Sequence, residues 1–131
     1  MKQKIVYLDC DGTVMTFNWP KNGVPNLRWK PVLRRLIAVG YEIIVNTARV
    51  HDMRHGSLQK AHIWFLEQFP EYDFKFTTEK LDPLPWDLSG DNNILYIDDL
   101  APNIPLMKDS SSRPLVHWGK VRKELEKENI I

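Results

Sequence analysis

Two aspartates one residue apart, Asp9 and Asp11, stand at the end of an apolar run, Ile5-Val6-Tyr7-Leu8, and are followed at once by Gly12 and Thr13. Such runs read as buried strands, and the glycine marks where the chain leaves the sheet. Carboxylates at that exit cost several kcal/mol unless they are paired, hydrogen-bonded or bound to a cation. A second acidic pair, Asp98-Asp99, closes another apolar run, Ile94-Leu95-Tyr96-Ile97, and Thr47 and Arg49 follow a third, Tyr41 to Val45. Clustered carboxylates raise one another's pKa unless a cation sits between them. Magnesium accepts a few carboxylates, keeps several waters and commonly serves phosphate chemistry. A carboxylate can also be the nucleophile, through an aspartyl-phosphate. A second acid two residues on can protonate the leaving oxygen and then activate water, while a threonine and a lysine hold the phosphoryl oxygens. Neither a Gly-x-Ser-x-Gly elbow nor a Gly-x-x-x-x-Gly-Lys phosphate loop occurs in the chain, so the site does not read as one for acyl transfer.

The elements that must gather these residues alternate in type. Val14 to Arg28 reads as a short flap over the end of strand one, with Trp19-Pro20 and Lys21-Asn22-Gly23 as turn signals. A helix follows, with Pro31 in its first turn, a Val32/Leu33/Leu36/Ile37 stripe and Gly40 as its left-handed cap. After strand two and a polar loop, Ser57 is placed to cap a helix carrying Leu58, Ala61, His62, Phe65 and Phe69, which Pro70 stops. Phe74 and Phe76 alternate as in a half-buried strand, residues 80–93 read as loop, and Ile94 to Ile97 is strand four. A short helix is expected near Pro102, an edge strand over Pro114 to Trp118, and a charged helix over Lys120 to Glu128. Strands alternating with helices predict a three-layer, Rossmann-like α/β fold with a mostly parallel five-stranded sheet covered on both faces. Ligands bind such sheets at the carboxyl ends of the strands, where Asp9, Asp11, Thr47, Arg49, Asp98 and Asp99 all fall.

Composition narrows the setting. At 131 residues, 43% hydrophobic and 27% charged, the chain fits one globular domain over residues 1–131. A net charge of +1 gives no global field to draw nucleic acid or an acidic membrane. Cys10 is the sole cysteine, so no intramolecular disulfide forms and a reducing, cytoplasmic setting is expected. No apolar run reaches the length of a membrane span. His51 and His55 have the spacing of a zinc pair but lack the glutamate of His-Glu-x-x-His, so they do not read as ligands.

Asp9-Cys10-Asp11-Gly12-Thr13 resembles the Asp-x-Asp-Gly-Thr signature of the haloacid dehalogenase-like (HAD) phosphatase superfamily. Asn46-Thr47-Ala48-Arg49 resembles its second motif, and Tyr96-Ile97-Asp98-Asp99 its fourth. The resemblance spans residues 5 to 99 in the family's order and implies a magnesium-dependent phosphomonoester hydrolase. It implies Asp9 as nucleophile and metal ligand, Asp11 as general acid/base with its carbonyl on the metal, and Asp98 and Asp99 completing the metal site. Thr47, with Ala48 and Arg49 beside it, would bind the substrate phosphate, Arg49 alternatively pairing with a neighbouring acid. Lys80 is the choice for the motif-three lysine, because Lys75 alternates outward between Phe74 and Phe76. With only the short flap in place of a cap, the chain is similar to small capless members. That leaves a phosphorylated small molecule or nucleotide as substrate, with a nucleic-acid 3′-phosphate end, or a non-catalytic binding module, as alternatives.

Overall fold

The computed structural model describes residues 3–108 and 113–131. Strand β1 (Ile5–Leu8) is followed by helix α1 (Trp29–Ala38), β2 (Glu42–Val45), a short 3-10 helix (Ala48–His51) and α2 (Ser57–Gln68). Then come β3 (Lys75–Phe76), β4 (Ile94–Ile97), β5 (Leu106–Met107), β6 (Leu115–Val116) and α3 (Trp118–Lys127). The arrangement is three-layer α/β, built on a sheet of four strands in the order β3-β2-β1-β4, every pair parallel.

The expected fifth strand does not join that sheet. Its core, β6, pairs antiparallel with β5 in a separate two-stranded ribbon. Pro114 has no N–H to offer a ladder, and the N–H of Val116 donates instead to the carbonyl of Gly12 at 3.0 Å. The ribbon therefore docks on the acidic turn after β1. The short helix expected near Pro102 is also absent: Asn103 at φ 69° leaves the right-handed region and breaks the turn begun at Asp98.

Periodicity explains the core. In β1, β2 and β4 the residues Val6, Leu8, Ile43, Val45, Leu95 and Ile97 are buried, while the alternate positions are half-buried or, for Ile94, exposed. The cover of the two faces is thus uneven, and the connection from β3 to β4, residues 77–93, contains no helix. Trp29 of α1 stacks on Trp64 of α2, with centroids 5.4 Å apart, and meets Phe65 and Phe69. Pro31 lies in the first turn of α1, and Gly40, at φ 104°, turns the chain into β2. Ser57 is the first residue of α2 and not its cap; Gly56, at φ 65°, takes that place, and the Ser57 hydroxyl donates to Asp52. Among the described residues, no helix is long and apolar enough to cross a membrane.

Register decides the site. Leu8 is level with Val45 on one side and Ile97 on the other. The next residues, Asp9, Asn46 and Asp98, therefore leave the sheet at one edge. That edge is also where the strand order reverses, since β2 lies to one side of β1 and β4 to the other.

Candidate active site

The turn after β1 folds around one carbonyl. The oxygen of Cys10 accepts the N–H groups of Thr13 and Val14 at 3.1 and 3.0 Å. Gly12, at φ 81°, permits the turn, and a Cβ there would stand 2.3 Å from the ring of Phe17. Thr13 links the two acidic segments: its hydroxyl donates to Asp9 Oδ2 and accepts the N–H of Asp99, both at 3.2 Å. Cys10 is fully buried, and burial pushes its thiol well up, consistent with packing and not with a reactive thiolate.

Asp9, Asp98 and Asp99 each present a carboxylate oxygen, and these oxygens lie within 4.8 Å of one another. Lys80 is the cation beside them, its Nζ 3.2 Å from Asp9 Oδ1 and 2.7 Å from Asp98 Oδ2. A third bond, 3.0 Å to the carbonyl of Asn46, completes the ammonium's donors. Asn46 also fixes the segment that carries Lys80. Its Nδ2 donates to the carbonyl of Leu81 at 2.9 Å, and its Oδ1 accepts the N–H of Leu81 at 2.8 Å.

One amine does not neutralise three carboxylates. Burial pushes the Asp9 carboxyl well above the usual carboxylate range; Lys80 opposes this, and Asp98 and Asp99 add to it. Burial also raises Asp99, with Asp98 reinforcing it. Burial disfavours charge on Lys80, but Asp9 and Asp98 outweigh it and the amine's pKa is raised. An all-oxygen donor set in which burial and mutual repulsion disfavour charge on Asp9 and Asp99 suits a hard divalent cation.

Asp11 faces another way. Arg49, fully buried, grips it with two bonds, Nε to Oδ2 at 2.9 Å and Nη2 to Oδ1 at 2.7 Å. The remaining donors go to Asn22 Oδ1 at 2.8 Å, the Ser57 carbonyl at 2.9 Å and the Lys21 carbonyl at 3.1 Å. Arg49 thus pairs with a neighbouring acid in this structure. Thr47 is buried beneath the cavity, its Oγ1 accepting the N–H of Arg49 at 3.2 Å, and Ala48 is exposed on the wall.

These residues line one cavity of about 460 Å³, which Asp9, Asp11, Thr47, Ala48, Arg49, Lys80, Asp98 and Asp99 all reach. Its lining also includes side chains the motifs did not single out. Phe17 and Trp19 come from the flap, and Arg113 stacks on Phe17 with its guanidinium carbon 3.5 Å from the ring centroid. Trp19 is 51% exposed, while its indole N–H donates to Ser57 Oγ at 3.2 Å. Thr13 and Asn46 were visible only as members of their motifs; that each bridges two loops has no signature in one dimension. His51 is exposed, and His55 pairs with Asp52 at 3.1 Å.

Comparison with protein-family models, curated proteins and solved structures finds no match to this chain. The chemistry therefore rests on the geometry: a small, mainly parallel α/β unit with buried clustered aspartates at the carboxyl edge of its sheet.

Proposed function

We propose that the protein is a magnesium-dependent phosphatase of the HAD type, hydrolysing phosphate monoesters through an aspartyl-phosphate on Asp9. The observation that carries this reading is the convergence of Asp9, Asp98 and Asp99 within 4.8 Å, with Lys80 bonded to two of them. Those three acids, with the Asp11 carbonyl, would hold the cation, which when bound offsets charge on the phosphoryl oxygens. An Asp9 oxygen attacks phosphorus, the bond to the leaving oxygen breaks, and that oxygen takes a proton from Asp11, which would enter the step in its protonated form with one oxygen turned out of the Arg49 pair. Asp11 then takes a proton from water, whose oxygen attacks the same phosphorus; inorganic phosphate leaves and the Asp9 carboxylate is restored. Lys80 and Thr47 stabilise the transferring group, held in place by the Asn46 bonds and the 3-10 turn.

The mouth favours one narrower substrate as a second reading. Trp19 offers a half-exposed flat face and Arg113, stacked on Phe17, a positive charge, which suits a nucleic-acid 3′-phosphate end. Phosphate release from an aryl phosphate, with magnesium or with chelator, tests the chemistry beside the Asp9→Asn variant. Turnover is expected only in the magnesium-loaded native protein. Activity that survives Asp9→Asn or chelation would overturn the mechanism, and no turnover of any monoester would favour a binding module. A panel from sugar phosphates to 3′-phosphorylated oligonucleotides then separates the two substrates.

A further inference from the structure

We propose that the less covered face of the main sheet is the interface of a homodimer, with a second copy of this chain packed on it face to face. The strands themselves call for such cover. β1, β2 and β4 are apolar on both sides of the pleat except at Glu42, as in parallel sheets buried on both faces. One side is buried. Val6, Leu8, Ile43, Val45, Leu95 and Ile97 share a core with residues of α1, α2 and α3. Among the described residues, Ile5, Tyr7, Ile44, Ile94 and Tyr96 do not join it, and Ile94 is 43% exposed. The connection over residues 77–93 does not close that side: its Trp86 and Leu88 belong to the core, and its Leu84 is 60% exposed.

Register sets this face out in two level rows. One runs Lys75, Ile44, Tyr7, Tyr96 across β3, β2, β1 and β4; the other runs Glu42, Ile5, Ile94 across β2, β1 and β4. Tyr7 and Tyr96 stack with centroids 5.0 Å apart. The two charges stand at one margin, where Lys75 Nζ lies 3.7 Å from Glu42 Oε1 with 72% of the lysine side chain exposed. A face with a lysine in one row and a glutamate in the next is its own complement. Sheets packed face to face lie about 10 Å apart. A two-fold axis between them, running across the strands, sets each row against the other row of the partner. Tyr7 then meets the partner's Ile5, Tyr96 the partner's Ile94, and Lys75 the partner's Glu42, each contact occurring twice. An axis along the strands would instead set Lys75 and Glu42 against apolar residues and leave charge unpaired, which is costly. Charge therefore selects a second copy with its strands antiparallel to the first. The two carboxyl edges lie at opposite ends of that dimer, so both cavities stay open.

This inference does not depend on the phosphatase reading. Sedimentation velocity of the whole chain over a range of concentrations tests it, and the native protein is expected to sediment as a dimer. Glu42→Lys and Lys75→Glu each bring like charges together at both symmetric contacts, so each alone is expected to weaken dimerisation about tenfold or more. Mixing the two variants restores opposite charges at both contacts, and the mixture is expected to sediment as a heterodimer. The ion pair within one chain cannot produce that rescue, because neither variant retains it. Ile94→Lys, at the far margin and already exposed, is expected to abolish the dimer independently, and circular dichroism is expected to show every variant folded. A native protein that is monomeric at every concentration would overturn the proposal and leave the face to another kind of partner. Native-like dimers of the single variants, or a monomeric mixture beside a dimeric native protein, would overturn it as well.

Discussion

A hydroxyl that donates to one carboxylate and accepts from the backbone beside another fixes both, and Thr13 does this for Asp9 and Asp99. Its carbonyl is used separately, by the Trp118 indole N–H at 2.8 Å and Asn26 Nδ2 at 2.9 Å. Thr13→Val therefore removes the hydroxyl alone. Leaving the Asp99 N–H and an Asp9 oxygen unpaired in a buried place costs about 1–3 kcal/mol, readable in urea unfolding. The same variant is expected to lower kcat, because Asp9 loses the hydroxyl that fixes its Oδ2. The candidate acids themselves were legible: a carboxylate at the end of an apolar run needs a partner, and both acidic pairs stand there. Arg49 was not decidable from its neighbours in sequence. Whether a guanidinium meets substrate or Asp11 depends on where the flap folds, and that is set by Asn22 and Lys21, some thirty residues away.

The elements place what the motifs only name. Lys80 belongs to a connection with no helix to fix it, yet the two bonds between Asn46 and Leu81 hold that segment to the end of β2 much as a strand would be held. Asn46→Ala should release it. On the proposed reading, activity is expected to fall by about a factor of ten or more as Lys80 drifts from the acidic cluster, and thermal melting should show lost stability. Normal turnover in Asn46→Ala would show that Lys80 is held by its carboxylates and the backbone carbonyl of residue 46 without the bonds to Leu81. Helix and strand positions were legible from period: the Val32/Leu33/Leu36 stripe, Pro31 and Gly40 read out α1, and alternation read out the buried face of β1, β2 and β4. The fifth strand was misplaced because a short apolar pair after a proline does not reveal its partner. Leu115 and Val116 pair with Leu106 and Met107 in the ribbon that covers the acidic turn.

For the whole molecule the acidic cluster makes stability depend on pH, and on the proposed reading on a cation as well. Burial raises Asp9 and Asp99 in the folded state, so the folded protein holds protons more tightly than the unfolded chain does. Without cation, stability contributed by these groups is therefore lost as pH rises from about 4, the unfolded carboxylate value, through their raised folded pKa values. Lys80 has the other dependence: its pairing is fully effective below the unfolded lysine value and is lost only as pH rises through its own raised pKa. If the cluster takes magnesium as proposed, the ion competes with the carboxylate protons, so its stabilising effect should grow as pH rises. Thermal melting with and without magnesium across pH 5 to 8 checks this, and a shift that shrinks as pH rises would contradict a carboxylate cation site. The sequence by itself determined the chemistry on offer: which side chains exist, and that acids, a hydroxyl and a guanidinium each follow a buried strand, because burying charge without a partner is too costly to be incidental. Only the tertiary structure decided the partners. Register brought Asp9 and Asp98 to one edge, Asn46 delivered Lys80 there, and the flap gave Arg49 to Asp11, since contacts between residues far apart in the chain arise from packing and leave no local trace.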